Sequence, residues 1–189
     1  MLKVTRVLTS NLSKKIVKSK RSQVWIETVI YTLIGLSIIG ILLAVALPKI
    51  NEIKDRTVLD QSVDMLNIID SKINEAKYVA GNSRVIDLNI KKGKLIVDGV
   101  NDYIEFILED SKSVYSEPGE VISIGNIKTL TEKNGKISNV KLKLDYKDSL
   151  NITYEGKDEL KTFQSAPTPY NVVISNMGYT NGLVNIDFS

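Results

Sequence analysis

A long apolar segment occupies residues 24–47, and two regions with different hydrophobic patterns follow it. Between Thr28 and Pro48 the chain has no charged side chain, and most positions are Ile, Leu, Val or Ala. In a helix, these 24 residues would extend for about 36 Å, which exceeds the roughly 30 Å of a bilayer's hydrocarbon core. The pattern therefore predicts one transmembrane helix over residues 24–47.

The next region, residues 50–76, has apolar positions at spacings near three and four or their multiples, as in an amphipathic helix. The predicted apolar face comprises Ile50, Ile53, Leu59, Leu66, Ile69, Ile73 and Ala76. Pro48 stands between the two helical patterns, where a proline should kink or locally break the helix. We therefore predict a long N-terminal helix over residues 23–80, with its polar part after the membrane segment.

After Gly81 hydrophobic residues alternate with polar ones, as in strands that are buried on one face. The clearest runs are Ile86/Leu88/Ile90, Leu142/Leu144/Tyr146 and Val184/Ile186/Phe188. Turn sequences separate such runs at Lys92-Gly93, Asp98-Gly99, Glu117-Pro118-Gly119, Asn134-Gly135 and Asn181-Gly182. We expect about seven to nine antiparallel strands in a small sandwich or a sheet wrapped on the helix, closed by a hairpin over residues 170–188. The predicted fold class is α+β, with the β domain over residues 81–189.

The charge distribution changes at residue 22. Residues 1–22 contain seven basic side chains and no acidic one, whereas residues 51–189 mix both signs. Basic residues beside a membrane helix favour the cytoplasmic side, so we expect a cytoplasmic N-terminus, a single membrane pass and an external β domain. Without residues 1–22 the formal net charge changes from +3 to −4. A basic surface for nucleic acid would continue into the folded domain, so no nucleic-acid partner is expected.

The composition offers little chemistry for catalysis or metal binding. The chain has neither cysteine nor histidine, which excludes disulfides, thiol nucleophiles and the triads and metal sites that use imidazole. The acidic cluster of Asp98, Asn101 and Asp102 lacks the remaining ligand spacing of a calcium loop and is interpreted as a turn. We therefore predict a non-enzymatic chain without catalytic residues, cofactors or metal sites.

One modification motif lies in the predicted β domain. Asn151-Ile152-Thr153 matches the N-x-[ST] sequon, so Asn151 is a candidate acceptor for N-glycosylation, within a predicted strand. Alternation places Tyr146 and Tyr154 in the core as readily as on the surface. No ligand-binding residue is therefore assigned.

A second motif immediately precedes and enters the apolar segment. Lys20 and Arg21 come before the small residue Ser22, Gln23 follows it, and Glu27 is the fifth residue counted from Gln23. This order resembles the processing site of a class III signal peptide, as in type IV prepilins, and archaeal prepilins and archaellins most closely. Bacterial prepilins nearly always carry glycine at the position of Ser22, so this departure favours the archaeal type over the bacterial one. In this resemblance Lys20 and Arg21 are the leader-recognition residues, and Ser22 and Gln23 form the processing junction.

The resemblance covers roughly residues 14–80 and implies a function. Residues 1–22 would be a basic leader, cut by a membrane-bound prepilin peptidase between Ser22 and Gln23. An assembly ATPase and a membrane platform protein would then polymerise the anchored chain into a cell-surface filament, with other pilin-like subunits as its helix-packing partners. In that family the carboxylate at the position of Glu27 is thought to pair with the N-terminal amine of a neighbouring subunit. Such a charge, costly to leave alone in an apolar bundle, would set the register between subunits.

Three alternative hypotheses remain open at this point. A permanently anchored envelope protein would keep residues 24–47 in the bilayer and bind a partner or ligand through a β-sandwich, as archaellum stator-like proteins do. A secretory signal would be cut after the A-x-A-like pair Ala44 and Ala46, although its apolar core would span only about 7–15 residues. A secreted or tethered enzyme would depend on carboxylates, in a cleft with paired acids whose pKa values are shifted.

Overall fold

The structure is a computed structural model that describes the backbone of residues 5–189 and the side chains of residues 24–189. The described chain divides into two compact units, one ending at Lys49 and one spanning Ile50–Ser189. A single helix is followed by ten strands in this range: α1 Thr5–Ala76, β1 Ser83–Leu88, β2 Lys94–Asp98, β3 Tyr103–Ser111, β4 Val121–Ile124, β5 Ile127–Asn134, β6 Ile137–Asp145, β7 Leu150–Tyr154, β8 Leu160–Gln164, β9 Tyr170–Thr180 and β10 Leu183–Phe188. The predicted α+β class is confirmed.

Helix α1 continues through Pro48, so the predicted local break does not occur. A proline removes one backbone N–H donor, and strongly helical turns on both sides can tolerate that loss. The helix ends at Ala76 and not at residue 80. There the N–H of Lys77 makes a last helical bond to Ile73 O at 2.9 Å, and Gly81 adopts a φ of 84° that reverses the chain.

The strands form two sheets. The six-stranded sheet has the order β4-β5-β6-β3-β2-β8, and the four-stranded sheet has the order β1-β9-β10-β7. All pairs of neighbouring strands are antiparallel except β10 and β7, which are parallel. The expectation of only antiparallel strands was therefore wrong for this pair, and the number of strands is ten and not seven to nine. Alternation reveals a half-buried strand but not the direction of its neighbour.

One hydrophobic core joins both sheets to the second part of helix α1. The helix contributes five of the predicted positions, which are all fully buried: Leu59, Leu66, Ile69, Ile73 and Ala76. Ile50 and Ile53, the first two positions of the predicted apolar face, are 44% and 56% exposed. The sheets cover the helix only from Asp55 onward, and a helical period cannot show where that cover begins.

The predicted turn at Asn181-Gly182 joins β9 to β10 and closes the C-terminal hairpin. Both residues have positive φ values, 52° and 86°, as a primed two-residue hairpin turn requires. Tyr146 and Tyr154, for which the sequence left two positions open, are both buried. Ile90 is buried as well, although β1 already ends at Leu88.

Candidate functional site in the amino-terminal helix

The predicted processing junction lies at the start of the described side chains. The backbone of Lys20, Arg21, Ser22 and Gln23 belongs to helix α1, whereas their side chains lie outside the described residues. Their roles in leader recognition and cleavage therefore stay predictions. Glu27 is the first member of the motif whose side chain is described.

The helix surface between Val24 and Leu47 is apolar on all sides. Sixteen large hydrophobic side chains are exposed there, and Trp25 and Val45 are each 71% exposed. Burial of one such side chain is worth about 1.5–3 kcal/mol, so leaving all of them in water would cost on the order of 20 kcal/mol or more. That exceeds the roughly 5–15 kcal/mol that stabilises an ordinary domain. This surface needs lipid or other protein around it. Among the described residues, the helix that contains it is the one that is long and apolar enough to cross a membrane.

The hydroxyl groups of this segment are satisfied within the helix. Thr28 donates to Val24 O at 2.9 Å and Thr32 to Thr28 O at 2.9 Å, while Ser37 donates to Leu33 O at 2.7 Å. Each bond spans four residues, which allows a Ser or Thr to sit in an apolar surrounding without an unpaired polar group. Burial of these hydroxyls in hydrocarbon or in a helix bundle therefore leaves none of them without a hydrogen bond.

Glu27 differs from these groups because no side chain that the structure describes in the helix neutralises its charge. Its side chain is exposed, and its hydrogen-bond donor is the hydroxyl of Tyr31, 3.5 Å from Glu27 Oε1. That distance is at the outer limit of a hydrogen bond. The segment from Val24 to Leu47 contains no lysine or arginine that could pair with it. A carboxylate in this position therefore needs headgroup water or a cation from outside this segment.

Two aspartates form hydrogen bonds between the part of helix α1 after residue 50 and the β domain. Asp55 is 5% exposed and accepts hydrogen bonds from Lys92 Nζ and, at 2.7 Å, from the backbone N–H of Lys112. Asp70 accepts from the Tyr146 hydroxyl at 2.8 Å and from the side-chain amide of Asn126 at 2.8 Å. The sequence analysis did not identify these contacts. The sequence contains one signal for these contacts, an acidic residue four positions from a leucine of the apolar face. Asp55 precedes Leu59 by four positions, and Asp70 follows Leu66 by four.

Asn176 caps the C-terminal end of helix α1. Its side-chain amide donates to Ala76 O at 3.1 Å and to Lys77 O at 3.0 Å, and its side chain is buried. These carbonyl groups have no partner within the helix, so an amide from β9 replaces the missing donors. Glu75 adds a surface ion pair with Arg84, at 3.0 Å. The helix end is thus held by Arg84, which is close in the chain, and by Asn176, which follows about a hundred positions later.

The candidate glycosylation site is folded into the parallel pair of β7 and β10. Asn151 is half-buried, and its side-chain amide donates to Asn185 Oδ1 at 3.4 Å. The Thr153 hydroxyl is buried and donates to Asp187 Oδ1 at 2.7 Å. Both functional groups of the sequon are therefore engaged in the folded domain. Glycosylation of Asn151 stays a prediction, and it would have to precede folding of this strand.

The acidic cluster at Asp98 forms a turn, as interpreted from the sequence. The backbone N–H groups of Val100 and Asn101 donate to Asp98 Oδ1 at 2.9 and 3.0 Å. Burial raises the pKa of Asp98, but these hydrogen bonds and those from side chains outweigh it, so the pKa lies below its ordinary value. Asp102 accepts instead from the backbone N–H of Ile152 at 2.8 Å. Within the described part of the chain, no three acidic side chains meet in a group that could hold a metal ion.

Comparison of the chain with protein-family models, with curated proteins and with solved structures finds no match.

Proposed function

We propose that this chain is a structural, non-enzymatic subunit of the type IV pilin-like class. After removal of residues 1–22, its N-terminal helix anchors it and then polymerises it into, or attaches it to, a surface filament. The observation that carries the proposal is Glu27, an exposed carboxylate on a helix surface that is otherwise apolar up to Leu47. A plain anchor gains nothing from this charge, which costs up to a few kcal/mol at the edge of hydrocarbon. In a filament, this charge would set the register between neighbouring subunits, because its partner cation would be the new N-terminal amine of the next copy.

The apolar surface of residues 24–47 supports a role in two successive environments. Lipid would surround it while the chain is a single-pass membrane protein with a cytoplasmic N-terminus and an external β domain. Helices of neighbouring subunits would surround it after an assembly ATPase and a membrane platform protein have extracted the chain. Both environments require satisfied polar groups, and the hydroxyls of Thr28, Thr32 and Ser37 meet that requirement.

The polar contacts of Asp55, Asp70 and Asn176 support the same role. They bind the helix after residue 50 to loops and strands from both sheets, and its leucines and isoleucines are part of the domain core. No flexible linker separates this part of the helix from the β domain. A force applied to the helix during assembly would therefore carry the folded domain with it.

The first test is the N-terminal residue of the protein at the cell surface, determined by mass spectrometry. Cleavage by a prepilin peptidase should give a chain that begins at Gln23. Replacement of Arg21 by Gln should leave the leader in place if Lys20 and Arg21 direct the peptidase. An intact leader on the surface protein of the native chain would contradict the proposal.

The second test removes the charge at Glu27 while keeping its size. We expect Glu27→Gln to abolish filament assembly and to leave membrane insertion and the folded β domain unchanged. Tyr31→Phe is the matched control, because it removes the hydroxyl that contacts Glu27 but keeps the carboxylate. If Glu27→Gln assembles normally and the leader stays uncut, the chain is instead a permanently anchored envelope protein that binds through its β domain.

A further inference from the structure

Three connections between strands meet where helix α1 enters the β domain. Asp55 accepts hydrogen bonds from Lys92 Nζ and from the backbone N–H of Lys112, so the loops after β1 and after β3 contact the helix at that residue. Ser111 pairs with Ser138, which places the turn between β5 and β6 at the same end of the sheet. We call this region the entry end of the domain, and it comprises residues 50–57, 89–93, 110–120 and 133–136.

The charges of the β domain are unevenly distributed. The entry end has seven basic and five acidic side chains, whereas the rest of residues 50–189 has ten basic and sixteen acidic ones. The domain is therefore acidic as a whole but has a formal charge of +2 at its entry end. A negatively charged surface would attract this end and repel the remainder of the domain.

A groove of about 600 Å³ opens at the entry end, between helix α1 and the loops after β1 and β3. Its apolar part includes Ile53, which is 56% exposed, and Val58. Lys54, Lys91 and Lys112 also line the groove, and their ammonium groups have no hydrogen-bond or ion-pair partner among the described residues. An apolar surface beside unpaired cations is complementary to an amphiphile with an anionic head.

The acidic side chains of the groove do not cancel this positive charge. Asp55 is buried, and its two carboxylate oxygens already accept from Lys92 Nζ and from the backbone N–H of Lys112. Asp110 is the one other acidic residue in the described lining of the groove. Three unpaired lysines therefore face one unpaired carboxylate.

The three lysines do not contribute equally. Lys91 also borders an adjoining groove, where the carboxylates of Asp64 and Asp87 lie. Its charge is partly balanced there, so binding of an anion should depend mainly on Lys54 and Lys112.

The length of the chain limits how far this groove can lie from a bilayer that holds residues 24–47. Lys54 follows Leu47 by seven residues, which is about 10 Å along a helix, and a tilt of the helix only shortens that distance. The headgroup layer is about 5–7 Å thick on each side of the hydrocarbon core. Attraction to anionic lipids extends about 8 Å further, which is the Debye length at physiological ionic strength. Lys54 therefore lies within reach of the headgroups.

We propose that the groove at the entry end binds the phosphate headgroup of an anionic lipid from the outer leaflet of the membrane. Lys54 and Lys112 would contact the phosphate oxygens, and Ile53 would contact the glycerol and the first methylene groups. The inference deepens the proposed function by naming a lipid ligand for the anchored chain, and it rests only on that anchored stage. Extraction of the chain into a filament would then require release of this lipid.

Hydrogen exchange in lipid nanodiscs tests the proposal. The full-length, uncleaved chain would be inserted at one copy per disc, which excludes contacts between copies. The discs would contain phosphatidylcholine alone or phosphatidylcholine with phosphatidylglycerol. We expect slower exchange in residues 89–93 and 110–113 when phosphatidylglycerol is present, and equal exchange in the two kinds of disc would overturn the proposal.

A free anion must be distinguished from a lipid as the ligand. Inorganic phosphate added to the discs of phosphatidylcholine alone should not slow exchange in the same residues. Protection by inorganic phosphate equal to that by phosphatidylglycerol would refute a lipid site, because the groove would then recognise phosphate without a membrane.

Charge variants connect the protection to the groove. Lys54→Gln combined with Lys112→Gln should abolish the protection by phosphatidylglycerol, whereas Lys54→Arg with Lys112→Arg should retain it. The matched control is Lys147→Gln with Lys157→Gln, which removes the same charge from two exposed lysines outside the entry end. The basic residues 1–22 are the same in all variants, and circular dichroism would verify the fold. Protection that survives the first pair of substitutions, or is lost equally in the control, would contradict the proposal.

The exchange measurement requires neither leader cleavage nor a filament, so its result is separable from the tests of the proposed function. Protection by phosphatidylglycerol without filaments would support the lipid site and count against a pilin-like role. Filaments without such protection would support the pilin-like role and refute the lipid site.

Discussion

Leu66→Ala tests whether helix α1 is part of the β-domain core. The Leu66 side chain is fully buried, and it belongs to the core that both sheets share. Truncation of a buried leucine costs about 2–5 kcal/mol, from lost transfer free energy and from the cavity that remains. We expect a loss of about 3 kcal/mol in the free energy of unfolding. For a domain of this size that corresponds to a melting temperature lower by roughly 6–12 °C.

The assay must report on the β domain alone. Trp25 lies in the exposed apolar segment and is the chain's only tryptophan. Near-ultraviolet circular dichroism of the tyrosines is more suitable, because Tyr146 and Tyr154 are buried in the domain. Thermal unfolding would be followed on the full chain in detergent micelles.

Leu42→Ala is the matched control for this prediction. It removes the same atoms from a leucine that is 63% exposed in the apolar segment. We expect its effect on unfolding of the β domain to stay within about 0.5 kcal/mol. The reasoning would be refuted if Leu66→Ala and Leu42→Ala shifted the unfolding transition equally, since the helix would then not contribute to the domain core.

Three further predictions concern polar groups in the β domain. Tyr146→Phe removes the hydrogen bond to Asp70 and should lower the free energy of unfolding by about 1 kcal/mol, measured by urea titration; no change would show that this bond is not stabilising. Asn176→Ala removes the side-chain donor to the carbonyl groups of Ala76 and Lys77 and leaves Ala76 O only a 3.5 Å contact with Val79 N, so we expect a loss of about 1–3 kcal/mol and faster hydrogen exchange in the last helical turn. Burial and the hydrogen bond to Asp98 raise the pKa of Tyr103 to about 12. Its contribution to stability should therefore be complete below pH 10, the unfolded pKa, and decline as the pH rises from 10 to 12; Tyr103→Phe should weaken this dependence in melting curves.

The hydrophobic pattern predicted one apolar face of the helix, and the domain buries its positions from Leu59 onward but leaves Ile50 and Ile53 exposed. A period of 3.6 identifies positions that share a face, because it depends on local geometry. It contains no information on where along the helix a sheet begins to cover that face. The alternating pattern had a similar limit: it located most strands, yet it missed the parallel pairing of β7 and β10.

The residues of the candidate site also differ in whether the sequence alone reveals them. The order of Ser22, Gln23 and Glu27 is a linear motif, so it can be recognised without coordinates. The polar bonds of Asp55, Asp70 and Asn176 could not be recognised in that way. Their partners lie 37 to 100 positions away in the chain, and an acidic residue beside a buried leucine is equally compatible with a solvated position.

By itself, the sequence determined the features that depend on neighbouring residues: an apolar helix of membrane-spanning length, its single carboxylate at Glu27, the amphipathic continuation and the turns at Gly-containing pairs. Only the tertiary structure decided which strands are neighbours, which strands lie at the sheet edges, and which acids bind the helix to the sheets. The reason is physical. Backbone propensity and side-chain periodicity act over a few residues, whereas strand order and buried polar pairs arise from contacts between distant parts of the chain, and these form only when the whole core is assembled.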